Sequence, residues 1–313
     1  MSEPETLNQR WRYALKPASW QKLVVPALLG QALGYSSVDS FSVGALVFGA
    51  AFAALDIAFI VLLNDWADRD VDALKRRMFP HGGGPKTIPD GILPARQVLL
   101  GGLLAGLGAL AVAGASAAVL DRPLLLPGAV LALALFIVYS LPPLRLNYRG
   151  GGELLEALGV GVLLPWLNAH AHSGRLWAEG WGAVLAGFCA LALASAIASG
   201  LSDEQSDRRG GKRTFTTAFG NPMARRVVES LMLAGIVVWG ISVFFVELEL
   251  KIALIFGAST LWDYRKKVCS LSTGAVTNAF PAQKRYKAQL HRGIWRSATA
   301  VATILAAMGW WWS

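Results

Sequence analysis

Long apolar segments alternate with short polar loops along almost the whole chain. A helix that crosses a bilayer needs roughly 17–25 mostly apolar residues, and segments of about this length recur nine times. We therefore predict an all-α, polytopic membrane protein with nine transmembrane helices around a central cavity. The predicted spans lie near residues 20–36, 41–63, 97–119, 124–140, 153–170, 178–200, 226–246, 249–263 and 294–312.

The composition supports a membrane protein over a soluble one. Of the 313 residues 54% are hydrophobic and 16% are charged, whereas soluble domains carry about 25% charged residues. The two cysteines, Cys189 and Cys269, form neither a metal-binding spacing nor a disulfide framework.

The positive charge is distributed on one side of the predicted membrane. All but three of the 29 Lys and Arg residues fall on the side of the N-terminus, and the three exceptions are Arg122, Arg175 and Lys251. By the positive-inside rule that side is cytoplasmic. Most of the net charge of +9 therefore reflects topology, and the remaining basic residues are available to bind phosphate groups and membrane lipid. We expect no nucleic acid as partner. The predicted location is a bacterial inner membrane.

Two acidic stretches mark the cytoplasmic ends of the second and sixth predicted spans. On a helix, spacings of three, four and seven residues place side chains on one face. The carboxylates that share a face in this way are Asp65, Asp68 and Asp72 in the first stretch, and Asp203 and Asp207 in the second. Because the stretches are four spans apart and point the same way, the chain is predicted to be one domain with four-helix repeats at 20–140 and 153–263, followed by the helix 294–312.

Carboxylates on one face repel each other unless a cation lies between them. Mg²⁺ prefers oxygen ligands and is commonly shared with substrate phosphates, so we predict two Mg²⁺ ions that bind a diphosphate. Lys86, Lys212 and Arg213 lie in neighbouring loops and could neutralise its remaining charge. In a lipid-embedded cavity, the rest of the substrate is expected to be a polyprenyl chain, whose allylic carbocation must be protected from water.

Three further residues are candidates for substrate contacts. Asp56 lies about two turns inside the second span, where a carboxylate is costly; it is either part of the acceptor pocket or a hydrogen-bonded packing residue. Glu153 begins the fifth span and could accept a proton, although a helix N-terminus favours Glu on electrostatic grounds alone. Tyr139 could line the cavity, or it could anchor its helix at the membrane interface.

The two acidic motifs resemble those of the UbiA superfamily of intramembrane prenyltransferases. The first reads Asn64-Asp65-x-x-Asp68-x-x-x-Asp72 and the second reads Asp203-x-x-x-Asp207. Two other stretches are similar to the menaquinone-type branch, which prenylates dihydroxynaphthoate: YSLPPLRLNYRGGGE at residues 139–153 and DRRGGKRT at residues 207–214.

The resemblance implies Mg²⁺-dependent transfer of a prenyl group from its diphosphate to an aromatic acceptor. It places Asn64 and the five aspartates around the metals and diphosphate, with Asp68, Asp72, Asp203 and Asp207 also in catalysis. It places Lys212 and Arg213 at the phosphates, and the loop that contains Tyr139, Arg145 and Arg149 beside the acceptor.

Other functions remain open from the sequence. The residues Ser199-Gly200-Leu201-Ser202 before the second motif differ from the Asn and Arg that the naphthoate branch has there. The acceptor could therefore be 4-hydroxybenzoate, a specialised aromatic metabolite, a lipid alcohol or a tetrapyrrole alcohol. A transporter for a cation or phosphorylated solute would place more charge near the bilayer midplane, and a scaffold would not need two matched acidic faces.

Overall fold

The computed structural model describes residues 6–80 and 84–312. Every regular element in this part of the chain is helical, and no strand occurs in it. The helices are α1 Leu7–Leu15, α2 Gln21–Tyr35, α3 Val43–Ala67, α4 Arg69–Met78, α5 Ala95–Val119, α6 Leu125–Ser140, α7 Leu146–Arg149, α8 Gly152–Leu158, α9 Leu164–Ser173, α10 Trp181–Ser199, α11 Glu204–Arg209, α12 Phe215–Phe219, α13 Asn221–Ser242, α14 Leu248–Ser272 and α15 Phe280–Trp312. A π-helical turn at Gly159–Leu163 joins α8 to α9.

Each predicted span corresponds to a helix or, in the case of α8 and α9, to a continuous pair. By length and composition, four helices in the described residues could cross a membrane: Val43–Ala67, Ala95–Val119, Gly152–Ser173 and Trp181–Ser202. The helix Leu125–Ser140 is apolar but shorter. The all-helical prediction is confirmed, while the number of nine spans stays a prediction.

The last helix begins well before the predicted residue 294, at Phe280. Its first half is polar, but Gln283, Tyr286 and Leu290 are fully buried. Spacings of three and four residues put these side chains on one face, which packs into the protein. A search for apolar segments misses such a helix because its outward face is charged.

Helices α2 and α9 cross closely at two glycines. A Cβ on Gly30 would lie 2.1 Å from the carbonyl oxygen of Pro165, and one on Gly34 would lie 2.5 Å from that of Ala169. Small residues at positions four apart allow this approach. Beside the crossing, Gln31 donates to Asn168 Oδ1 over 3.0 Å, so the far end of the bundle is held by buried hydrogen bonds.

Two apolar cores surround the middle of the protein. One is formed mainly by α3, α5 and α6 with part of α9, and the other by α2, α9, α10 and α13–α15. Helix α3 therefore belongs to the first core and helix α10 to the second. A cavity can form in the space between these two helices.

Both acidic stretches lie at bends rather than on uninterrupted helices. Helix α3 ends at Ala67, and Asp68 (φ −95°, ψ 4°) leads into α4. Helix α10 continues as a 3₁₀ turn at Gly200–Ser202, and Asp203 (φ −115°, ψ −2°) leads into α11. The first stretch is thus divided between α3 and α4 instead of lying on one helix, and in the second stretch Asp203 is the N-cap residue of the helix that carries Asp207.

Candidate active site

A cavity of about 370 Å³ lies between the two cores, and both acidic stretches line it. The lining includes all the predicted metal-binding residues, namely Asp65, Asp68, Asp72, Asp203 and Asp207, together with Asn64. It also includes the predicted substrate residues Asp56, Lys86, Tyr139, Glu153 and Lys212. The fold thus brings together two stretches that are more than a hundred residues apart in the sequence.

Four lysine ammonium groups neutralise the acidic walls. The ion pairs are Lys16 with Asp65, Lys86 with Asp72, Lys75 with Asp203, and Lys212 with Asp68. In the last pair, Lys212 Nζ lies 2.6 Å from Asp68 Oδ2. These contacts relieve the repulsion that neighbouring carboxylates would otherwise exert.

Asp207 forms no ion pair within the described part of the chain. It is buried at 7% exposure, and burial raises the pKa of its carboxyl to about 6, with the charge of Asp68 adding to the shift and that of Lys212 opposing it. Burial also acts to lower the pKa of Lys212, but the carboxylates of Asp68 and Asp207 outweigh it and the pKa is raised. The cavity therefore holds a closely coupled set of charges.

Lys75 and Lys16 were not predicted from the sequence. Lys75 is buried, and this burial, together with the charges of Lys86 and Lys287, lowers its pKa to about 7. Its spacing of three residues from Asp72 places both on one face of α4, so helical geometry could have identified it. Lys16 follows α1, and no local pattern indicates that this polar segment folds back onto the cavity.

Arg145 and Tyr148 support Asp68 from behind the cavity wall. The Tyr148 hydroxyl donates to Asp68 Oδ1 over 3.1 Å, and Arg145 Nη2 lies 4.0 Å from the same oxygen. The Arg145 guanidinium also lies 3.5 Å from the centre of the Tyr148 ring. Arg145 is thus next to the predicted site without lining the cavity.

The structure does not bring Arg149 or Arg213 to the cavity. Both side chains are exposed. Arg149 is followed by Gly150 and Gly151, whose φ angles of 96° and 89° turn the chain into α8. The backbone N–H of Arg213 donates to the Tyr148 carbonyl over 3.1 Å, so this residue joins the two loops through its main chain.

The loop that carries Lys86 is organised by Asp90. Arg76 Nε and Nη2 each donate to the Asp90 carboxylate over 2.7 Å, the Tyr13 hydroxyl donates over 2.7 Å, and the Lys86 N–H donates over 2.9 Å. Burial and the neighbouring Asp90 raise the pKa of Tyr13 to about 12. The next residue, Thr87, donates its hydroxyl to Asp65 Oδ2 over 2.5 Å. The loop therefore fixes one lysine of the cavity and one aspartate.

Glu153 has both a structural contact and a place in the cavity. Its Oε1 accepts a hydrogen bond of 2.6 Å from the backbone N–H of Phe215, at the start of α12. Tyr139 and Asn147 line the cavity near it, and Glu156 pairs with Lys22. This part of the polar end therefore offers hydrogen-bonding groups.

The acidic walls have the donor chemistry that suits Mg²⁺. Carboxylate and amide oxygens are its preferred protein ligands. Among the described residues, however, no three His, Cys, Asp or Glu side chains form a group arranged to hold a metal, and lysines contact four of the aspartates. Metal binding at this site requires those lysine contacts to be exchanged for metal contacts, which the flexible lysine side chain allows.

Comparisons with known proteins agree on one family. The model of the UbiA prenyltransferase family matches residues 23–287. Rice chlorophyll synthase, a chloroplast protein of Oryza sativa subsp. japonica, is 30% identical over 227 residues, which are 70% of this chain and 58% of the relative. The chain thus spans somewhat more than half the length of the curated relatives that it matches.

Solved structures share the fold. A UbiA homolog from Archaeoglobus fulgidus bound to DMAPP and Mg²⁺ superimposes with a TM-score of 0.70 at 20% identity, covering 94% of this chain and 99% of that one. The structure of that homolog bound to GPP and Mg²⁺ gives the same TM-score and coverage. At this identity the likeness concerns the fold alone.

Proposed function

This chain belongs to the UbiA prenyltransferase family, a family of integral membrane enzymes, and we propose that it catalyses Mg²⁺-dependent transfer of a prenyl group from a prenyl diphosphate to an acceptor. The observation that carries the proposal is the single cavity in which aspartates and lysines from both walls meet an apolar interior. A prenyl diphosphate has the matching form, with a charged head and a hydrocarbon tail.

The polar end holds the diphosphate. Lys75, Lys86 and Lys212 all line the cavity, and Lys75 pairs with Asp203. Their ammonium groups can leave the carboxylates and bind phosphate oxygens when a metal takes over the carboxylates. The aspartates of the two walls would hold two Mg²⁺ ions, which would neutralise charge on the leaving diphosphate. The homolog bound to DMAPP and Mg²⁺ supports this assignment.

The reaction breaks one bond and forms one. The C–O bond between the allylic carbon and the diphosphate breaks, its electron pair leaves with diphosphate, and the acceptor's nucleophilic atom bonds to the allylic carbon. An acceptor that keeps its carboxylate, or has none, then loses a proton, for which Glu153 is the candidate base; a dihydroxynaphthoate that loses its carboxylate releases CO2 instead. Apolar lining residues such as Ile60 and Phe136 exclude water from the cationic carbon, and the Tyr139 ring can stabilise it.

Two acceptor classes have support. The motifs at residues 139–153 and 207–214 resemble those of enzymes acting on dihydroxynaphthoate, in which ring attack is accompanied by loss of the acceptor carboxylate. The curated relatives are named as chlorophyll synthases, and chlorophyll is a tetrapyrrole. We keep the aromatic dihydroxynaphthoate type as the first acceptor to test, and the tetrapyrrole as the second.

The test is turnover by the purified protein in lipid with Mg²⁺, a labelled prenyl diphosphate and each acceptor, with products identified by mass. Asp207→Asn should lower turnover by at least about 10²-fold, since it removes a carboxylate that would stabilise the metal and leaving group. Asp70→Asn is the matched control, because Asp70 is exposed and lies outside the cavity. Equal loss in both variants, or full turnover in Asp207→Asn, would contradict the assigned role.

The same assay addresses the competing classes. Glu153→Gln keeps an oxygen that can accept from Phe215, so a fall in the catalytic rate with unchanged folding would support a proton-accepting role. A transporter would give no prenylated product with any acceptor but would move a cation or phosphorylated solute across vesicles. We further propose that the polar end of the cavity faces the cytoplasm of a bacterial inner membrane, as the basic loops predict.

A further inference from the structure

The cavity continues from the acidic walls into an apolar region and reaches a second carboxyl group. Along α3 and its C-cap residue, four residues spaced by four line the cavity in turn: Asp56, Ile60, Asn64 and Asp68. A helix rises about 1.5 Å per residue, so Asp56 lies about 18 Å along the axis from Asp68. This stripe therefore runs from the polar end of the cavity to a single deep carboxyl.

The lining residues that α6 and α9 contribute below the polar end of the cavity are apolar. On α6 the lining residue Ala132 lies seven residues before Tyr139, and on α9 the lining residue Leu164 lies twelve residues after Gly152. These spacings correspond to about 10 and 18 Å below the polar end. Among the described lining residues, Asp56 is thus the carboxyl that lies deepest along α3, next to apolar neighbours such as Ile57 and Ile60.

Asp56 also lacks a partner for one of its oxygens. The residue is 4% exposed, and its Oδ1 is buried without a hydrogen bond from the described residues. A buried carboxyl in this state is costly unless a hydrogen-bond donor reaches it. Because Oδ1 itself is buried, the carboxyl can gain a hydrogen bond from water or a ligand only through the small surface that it exposes to the cavity.

A hydrocarbon chain cannot supply that donor. If the diphosphate binds between the acidic walls, the prenyl chain extends from there into the apolar region, towards Asp56. A chain that ends before Asp56 leaves room for water on the carboxyl. A chain that reaches it displaces the water and leaves the carboxyl desolvated.

We infer that Asp56 is a specificity-determining residue that limits the length of the prenyl chain. The inference rests on the proposed function and adds the substrate range: diphosphates of few isoprene units are accepted, and chains long enough to press hydrocarbon against the carboxyl are rejected. It also places Asp56 outside the acceptor pocket, which was one of the two roles that the sequence left open for it. The reacting carbon adjoins the diphosphate near Asp68, about 18 Å away along α3.

The experiment compares kcat/KM for prenyl diphosphates of one, two, three and four isoprene units. Wild-type protein should show a fall of about tenfold or more at the chain length that reaches Asp56, which corresponds to about 1.4 kcal/mol. Asp56→Leu has similar volume without the polar group and should remove that fall. Asp56→Asn keeps a polar group of the same shape and should retain it, as the matched control.

Each outcome decides a different point. An unchanged chain-length profile in Asp56→Leu overturns the inference, as does a wild-type profile without a fall, which would mean that long chains leave the cavity sideways. A change in the KM for the acceptor instead of the chain-length profile would return Asp56 to the acceptor pocket and also overturn it. Turnover of the one-unit diphosphate reports on folding, and Asp56→Ala replaces Asp56→Leu if that turnover is lost. If the wild-type protein turns over none of the diphosphates, the proposed function itself fails.

Discussion

Replacing Lys212 by Met should destabilise the fold and make its stability depend on Mg²⁺. Lys212 follows the second acidic stretch, and its ammonium lies 2.6 Å from Asp68 Oδ2 on the first. The pair therefore joins the two walls of the cavity. Methionine keeps most of the apolar length of the side chain, so the substitution removes the charge with little change in packing.

The size of the effect follows from burial. The side chains of Lys212 and Asp68 are 10% and 8% exposed. Breaking a buried pair by removing one partner costs about 3–5 kcal/mol. Tyr148 and Arg145 still contact Asp68 after the substitution. We therefore expect a loss at the lower end of this range, about 3 kcal/mol, which changes the unfolding equilibrium constant about a hundredfold.

The assay measures the free energy of reversible unfolding in mixed micelles, with and without Mg²⁺. A double-mutant cycle compares wild type, Lys212→Met, Asp68→Asn and the double variant. In the Asp68→Asn background, Lys212→Met should cost about 1 kcal/mol or less, giving a coupling energy of about 2 kcal/mol. Because the variant leaves carboxylates free for a cation, Mg²⁺ should stabilise Lys212→Met more than wild type.

Lys266→Met is the control for this series. Lys266 pairs with Asp263 over 3.6 Å, but both side chains are more than half exposed, and such pairs contribute about 0–1 kcal/mol. If Lys212→Met is no more destabilising than Lys266→Met, or if Mg²⁺ stabilises wild type and Lys212→Met equally, the ion pair does not join the walls as argued.

Two further predictions concern the cavity loop and the helix crossing. Burial acts to raise the pKa of Asp90, but hydrogen bonds from Tyr13 and Arg76 outweigh it and the pKa is lowered from 3.8. Asp90 thus stabilises the fold above this pH and loses its contribution below it, so wild type should exceed Asp90→Asn in stability at pH 7 and the two should converge below pH 3.8. Separately, Gly30→Ala should cost about 2 kcal/mol or more, because its Cβ would lie 2.1 Å from a backbone oxygen. Gly114→Ala, with nothing within 4 Å, should be neutral; equal melting temperatures for the two would contradict the close crossing.

The residues that the sequence could identify are those tied to a helix end. Asp65 and Asp68 follow an apolar run of fixed length, so the depth of their end of the helix is set by the membrane. Asp203 and Asp207 follow another run of the same orientation. Once both runs are placed in one bundle, the two sets must lie at the same level, and their meeting in one cavity follows from topology.

The charge partners of these aspartates depend on tertiary folding. Lys16 reaches Asp65 because α1 folds back onto α3, and Lys75 reaches Asp203 because α4 crosses to the opposite wall. Neither pairing leaves a periodic signal, since a lysine in a polar segment is also what a solvated surface requires. Conversely, Arg213 has the expected position in the motif but an exposed side chain, because its backbone bond to Tyr148 sets the direction of the loop.

The two halves of the chain show the same construction at their acidic ends. In each, a long apolar helix ends, one aspartate (Asp68 or Asp203) is the N-cap residue of the next helix, and that helix is short and polar. Helix α3 packs along α5 as α10 packs along α13, which is what parallel repeats at 20–140 and 153–263 require. The repeat itself stays a prediction, but it explains the role of the helix outside both units. Helix α15 packs on α14, at the end of the second repeat, and on α2, at the start of the first, so it closes the ring that keeps the two acidic walls opposed.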